Sequence, residues 1–180
     1  AIRPYPVNYV TTGKAKNGAE ITFRPIRPED EPLLVKFHET LTDRSVEQRY
    51  QAKLPLQERT AHERLTRICF NDYDRELAIV ADHRDPATGK REIWGVGRLS
   101  KKVSTNTGEF ALVVSDQHQK QGIGSLLLKQ IVQIAKSEKL ASLSAVMLSE
   151  NKEVKLLCEK AGFKIEAVAN QPQLKAVMTF

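Results

Sequence analysis

The stretch Gln119-Lys120-Gln121-Gly122-Ile123-Gly124-Ser125 decides how the rest of the chain is read. It stands between an apolar run, Glu109-Phe110-Ala111-Leu112-Val113-Val114, and a segment whose apolar positions Ile123, Leu127, Ile131 and Ala135 fall at helical spacing. The order is therefore a strand, a glycine-bearing turn and an amphipathic helix. Glycines let the backbone turn tightly and bring its N–H groups close to a ligand. The helix start adds unpaired donors and the positive end of a dipole, and Lys120 adds charge. Together these read as a phosphate cradle. The nucleotide versions fit badly. A dinucleotide fingerprint wants a third glycine where Leu127 stands. A P-loop wants Gly-Lys-Ser/Thr after its spacer, and a kinase-type loop wants a lysine strand and catalytic motifs; neither set is present. Taken alone, a Gly-x-Gly before a helix is equally well a helix-capping turn.

Upstream of the turn the pattern is that of a meander. Glu76-Leu77-Ala78-Ile79-Val80-Ala81 predicts a short apolar strand, Asp85 to Lys90 a turn, and Ile93 to Leu99 the next strand. Ser104 to Gly108 predicts another turn before the strand that begins at Glu109. Further back, Glu20 to Ile26 alternates as a first strand. Pro28 starts a helix with Glu29, Asp30 and Glu31 in its first turn, where acidic residues complement the dipole. Leu33, Leu34, Phe37 and Leu41 give it an apolar face. A second helical region covers about 43–70, broken near Pro55. Downstream, Ala145 to Leu148 predicts a buried strand. Asn151 to Ala161 predicts a helix stopped by Gly162 as a C-cap, and 163–169 and 175–180 predict two closing strands. The fold class is α+β, with one mixed, mostly antiparallel sheet flanked by helices. Residues 1–19 read as a lead-in ending in the turn Lys16-Asn17-Gly18, and 20–180 as the domain.

With 180 residues the chain suffices for one domain with a sizeable core. No apolar run approaches the roughly 20 residues that cross a bilayer, and the mixed, proline-rich opening is no secretory signal. That opening has no methionine, which reads as a processed start or the cut edge of a longer protein. Two cysteines without a CxxC pair, in a chain without a signal, point to the reducing cytoplasm and away from a cysteine-built zinc site. The four histidines show no metal-ligand spacing, so no metal is expected. The formal charge of +6 suits a polyphosphate ligand as well as a solvated basic surface. Lysines and arginines are spread without a basic block or interleaved aromatics, which argues against nucleic acid.

Three landmarks in order narrow the reading: Gln119-x-x-Gly122-x-Gly124, Asn151 after the next strand, and Gly162-Phe163 after the next helix. On these the sequence resembles the GNAT superfamily of acyl-CoA-dependent N-acyltransferases. The motif core covers about 109–163. Arg24-Pro25-Ile26-Arg27-Pro28-Glu29-Asp30, preceded by Arg3-Pro4-Tyr5-Pro6, is similar to bacterial protein lysine acetyltransferases of the Pat type. In those a GNAT domain follows a large acyl-CoA-synthetase-like region. The resemblance implies acetyl-CoA as donor and its diphosphate on the N–H groups of Gln121 to Ser125. Gln119, Lys120, Gly122, Ile123, Gly124 and Asn151 belong to the same site. The pantetheine arm would pair with Leu112, Val113 and Val114 as an added strand. These valines pack the core in either case. An N–H near Val113 would face the thioester carbonyl.

The acceptor amine sets a harder demand. A lysine amine titrates near about 10.4 and is mostly protonated at neutral pH, so a general base is needed. Glu109, where the family often carries its catalytic glutamate, is the candidate; the alternative is an exposed strand-end carboxylate. Many family members protonate the leaving thiolate with a tyrosine four residues before the Gly of Gly-Phe. Here Cys158 stands there, and it reads as a packed thiol rather than an acid. His38 and His62 fall in helices away from the motif, and Cys69 and Trp94 read as core. The implied acceptor is a lysine on a protein such as an acyl-CoA synthetase. A small amine, or a non-catalytic acyl-CoA sensor, stays open. Nucleic acid and membrane are not expected partners.

Overall fold

The computed structural model describes residues 4–70 and 72–180. Its frame is an eight-stranded sheet of order β1-β2-β3-β4-β5-β6-β8-β7. The strands are β1 (Thr11–Lys14), β2 (Glu20–Pro25), β3 (Glu76–Arg84), β4 (Arg91–Lys102), β5 (Thr107–Val114), β6 (Ser142–Leu148), β7 (Lys164–Ala167) and β8 (Gln173–Thr179). Every neighbouring pair is antiparallel except β5 and β6. The α+β class and the three-strand meander stand as read from sequence. The helices are α1 (Glu31–Glu39), α2 (Asp43–Tyr50), α3 (Leu56–Arg59), α4 (His62–Cys69), α5 (Ile123–Ser137) and α6 (Lys152–Ala161).

Helices cover both faces of the sheet. β3 is buried without a break from Leu77 to Asp82, which is why its sequence runs apolar through Ala81 instead of alternating. On one face α5 and α6 pack over Leu77, Ile79, Leu99, Phe110, Leu143 and Met147, with Trp94, Cys158 and Phe163 in the same cluster. On the other, α1, α2 and α4 pack over Ala78, Val80 and Ile93 through Leu34, Phe37, Val46, Leu65 and Cys69. The alternation along β5 follows: Phe110, Leu112 and Val114 join the first layer, and Val113 the second. Gly97 lets α5 lie close on β4, since a Cβ there would stand 2.7 Å from Ile131 Cδ1.

Two readings change. The lead-in expected over 1–19 carries a strand. Residues of β1 pair with β2 from Thr11 opposite Phe23 to Lys14 opposite Glu20, and Ala15 is buried. The buried Gln130 of α5 ties this segment down, donating to the Tyr9 carbonyl at 2.7 Å and accepting from Thr11 Oγ1. Backbone pairing and one amide hold it, so it needs no apolar alternation. The helical region over 43–70 is three helices, and its first break comes at Gln51, in the left-handed region at φ 56°, ahead of Pro55. Of the proline-rich start, Arg3 lies outside the described residues.

A buried ion network fixes the second layer to the sheet. Arg24 of β2 donates to both Asp30 oxygens at 2.7 and 2.8 Å and to Asp82 Oδ2 of β3 at 3.1 Å. Asp30 also accepts from the Arg27 N–H where the chain turns into α1. Removing the guanidinium by Arg24→Ala leaves two carboxylates buried without their cation. The expected loss is about 3–5 kcal/mol of stability in urea unfolding. His38, buried on α1, is held neutral. Burial first, then Arg64, Arg59 and Arg49, push its pKa down to about 4. The unfolded chain takes up this proton near about 6.5, so the stability it contributes is full above that pH and falls away towards 4. Between pH 7 and 5 the loss is expected on the order of 2 kcal/mol, and His38→Gln should lose less over the same interval in parallel unfolding curves.

Candidate active site

β5 and β6 run parallel for only three residue pairs, Thr107 with Ser142, Gly108 with Leu143 and Glu109 with Ser144. Beyond that the two strands are no longer paired. Leu112, Val113 and Val114 of β5 form one wall of a cleft of about 290 Å³. The start of α5 closes one end, and α6 forms the opposite side through Val154, Leu156 and Leu157.

The turn into α5 is shaped by two left-handed residues, Lys120 at φ 62° and Gly122 at φ 82°. Gly122 caps the helix without a side-chain bond, so the first helical N–H groups face the cleft end unclaimed by a capping side chain. Gly124 keeps that end open; a Cβ there would fill space against Leu157, Val114 and Leu112. Both Lys16 and Lys120 line the cleft. Donors at a helix start with two lysines beside them suit a diphosphate, and the unpaired edge of β5 suits an extended amide-bearing arm. The residues present therefore fit coenzyme A.

Of the residues singled out in sequence, Leu112, Val113, Val114, Gln119, Lys120, Gly122, Ile123, Gly124, Ser125 and Asn151 all line this cleft. Asn151 does so as the N-cap of α6, its Oδ1 accepting from the Val154 N–H. Gln119 is turned inward and donates to the Val114 carbonyl at 3.3 Å. Gln121 is not on the wall. Its carbonyl accepts from the Lys16 N–H and its Oε1 from the Asn17 N–H, so it anchors the β1–β2 turn to the glycine turn.

Glu109 and Cys158 stand apart from the cleft. Glu109 lies where β5 and β6 part, on the same sheet face as Ala111 and Val113. Its side chain is 57% exposed and its carboxylate is 3.3 Å from Lys102 Nζ. Cys158 is fully buried in the core, its carbonyl accepts from the Gly162 and Phe163 N–H groups, and burial pushes its thiol up to about 11. A thiol so placed does not reach the cleft wall.

Several lining residues give no signal in sequence. Lys16 sits in the lead-in; Ser45, Gln48 and Arg49 sit on α2. Asp116 joins α2 to the glycine turn, accepting from the Thr42 N–H at 2.9 Å, from Ser45 Oγ at 2.9 Å and from Gln119 Nε2 at 3.4 Å. His118 also lines the cleft and stacks on Trp94 with centroids 3.7 Å apart, Trp94 being sandwiched from the other side by His83 at 4.2 Å. Burial, then His83, holds the His118 pKa down against the opposing pull of Glu92. Among the described residues no group of three or more His, Cys, Asp or Glu could hold a metal ion.

The comparisons with known proteins agree with this geometry. The acetyltransferase (GNAT) domain profile matches residues 20–164. An acetyltransferase of Pseudomonas aeruginosa is 23% identical over 148 residues, covering 82% of this chain and 76% of that protein. Among solved structures, the GNAT domain of S. lividans PAT superposes with a TM-score of 0.85 at 21% identity, covering 98% of this chain and all of that one. RimJ of Mycobacterium smegmatis, in complex with CoA-disulfide, superposes with a TM-score of 0.71 at 15% identity, over 94% of this chain and 86% of that one. A profile match across most of the chain, on a sheet that opens at the expected strand, settles the family: the chain belongs to the GNAT acetyltransferases, which move an acetyl group from acetyl-CoA to an amine.

Proposed function

We propose that the chain acetylates the side-chain amine of lysines on a partner protein, an acyl-CoA synthetase being the first candidate, and that it does so in the cytoplasm. The observation that carries this reading is the cleft itself, with helix-start donors and lysines at one end and an unpaired strand edge leading from them. The Pat-like front segment and the match along nearly the whole chain to the PAT domain support a protein acceptor. An upstream synthetase-like region in the full-length protein belongs to the same proposal.

Acetyl-CoA supplies the activated acetyl group. The N–H groups of Gly122 to Ser125 hold its diphosphate, with Lys16 and Lys120 offsetting charge. An N–H near Val113 stabilises the negative charge that develops on the thioester oxygen. Glu109 takes the proton from the incoming ammonium. Its Cα is four residues from Val113, roughly 13 Å along the strand, so the proton travels through water. Ala111, between them on the same face, is the smallest side chain along that path. Cys158 has no part in this scheme, and solvent protonates the leaving thiolate.

Incubation with acetyl-CoA and candidate synthetases, followed by mass spectrometry, is expected to show acetyl-lysine. A parallel panel of polyamines, amino acids and aminoglycosides with a thiol-release readout tests the small-amine reading. Glu109→Gln is expected to keep coenzyme A affinity and to lose about 100-fold in turnover. Unchanged turnover removes Glu109 from the role. Gly122→Val forces a β-branched residue into the left-handed region, and is expected to weaken coenzyme A binding about tenfold or more by calorimetry.

A further inference from the structure

Three arginines from three elements come close to one another beside the cleft. Arg49 of α2 lines the cleft with Leu112 and Val113. Its guanidinium carbon stands 4.7 Å from the Tyr50 ring centroid, and that of Arg64 of α4 stands 5.4 Å from the same centroid. Arg64 is anchored further, donating to Tyr50 Oη and to the Arg59 carbonyl. Arg98 of β4 is in register with Ala111 of β5 and shares its sheet face. Arg98 has a carboxylate partner, Glu76 Oε2 at 2.7 Å. Arg64 and Arg49 have none among the described residues, and the Arg49 side chain makes no hydrogen bond there.

The surplus of positive charge is felt by its neighbours. Burial first, and then Arg98 and Arg64, push the Arg49 pKa down against the opposing pull of Tyr50. Arg49 and Arg64 also contribute to holding His38 neutral. Clustered guanidiniums in partly buried surroundings favour an incoming anion. A diphosphate on the glycine turn leaves these guanidiniums unneutralised. A bare ammonium entering here meets repulsion, and a carboxylate carried on the same segment offsets it. Arginine suits that partner, because its planar fork takes a carboxylate through two hydrogen bonds.

Resting on the proposed acetyl transfer to lysine, we infer that Arg49, with Arg64 and Arg98 behind it, recognises an acidic side chain beside the acceptor lysine. Arg49 is thereby a specificity-determining residue. The charges facing it are those of Arg64 and Arg98, with Glu76 held by Arg98 and Glu109 by Lys102.

The test uses the full chain, acetyl-CoA and peptides of one length carrying a single lysine flanked by Glu, Gln or Arg. The Glu-flanked peptide is expected to be used about tenfold more efficiently than the Gln-flanked one, the Arg-flanked peptide least. Arg49→Gln should erase that preference through the KM for the peptide, by a larger factor than any change it makes in acetyl-CoA affinity measured by calorimetry. Arg49→Lys should keep part of it, and Arg49→Glu should turn it towards the Arg-flanked peptide; melting temperatures confirm that each variant is folded. Transfer to all three peptides at equal rates, or a preference for Arg, overturns the inference and leaves the lysine reading standing. A preference for succinyl-CoA over acetyl-CoA that Arg49→Gln abolishes, with no effect of peptide charge, assigns the carboxylate to the acyl group and overturns it too. No transfer to any peptide or protein, with acetyl-CoA bound, defeats the lysine reading and the inference with it.

Discussion

The site depends on the early parting of β5 and β6. A parallel pair that continued to Val114 would satisfy the edge of β5 with β6 and leave no cleft. Because pairing stops at Glu109 and Ser144, the strand edge, the start of α5 and the flank of α6 come to border one space. Unpaired backbone groups at a buried edge are costly, so such an opening persists only where water or a ligand can meet them. The packing on either side of the sheet holds the two strands apart.

That restraint comes from both faces. α5 is wedged against β4 and β5 on one side, close enough that Gly97 has no space for a side chain. On the other, α2 is fixed twice: its buried Val46 packs in the second layer, and Thr42 and Ser45 at its start bind Asp116, just ahead of the glycine turn. The α2 wall of the cleft and the glycine turn are thus one hydrogen-bonded unit. Asp116 is the centre of that unit, and Gln119 reaches Ser45 directly as well.

How much of this can be read from the sequence depends on the kind of force involved. The glycine turn is legible because a left-handed backbone at Gly122 demands a particular residue. α5 is legible because burial imposes a helical period, and β3 because burial on both faces leaves a continuous apolar run. β1 is not, because an edge strand of Thr11-Thr12-Gly13-Lys14 is held by backbone pairing and a distant glutamine, neither of which leaves a pattern. Arg49 is not, because an arginine on a polar helix looks the same whether it faces solvent or a cleft; Arg64 and Arg98 meet it from far along the chain. Glu109 is visible as a residue type at a strand start, while its distance from the wall, and its pairing with Lys102, belong to three dimensions.

The cleft also explains where part of the formal charge of +6 resides. Lys16 and Lys120 line it beside the glycine turn and Arg49 lines it from α2, and the difference follows from what each side chain does well. A flexible, hydrated ammonium suits a diphosphate whose geometry is set by backbone donors. A planar guanidinium, stacked on Tyr50 and partly dehydrated, suits a partner that must be recognised by shape as well as sign. On the proposed reading, anionic donor binding lowers the field at the glycine turn and leaves it intact at Arg49. The cleft then distinguishes its two substrates by charge before either is positioned for chemistry.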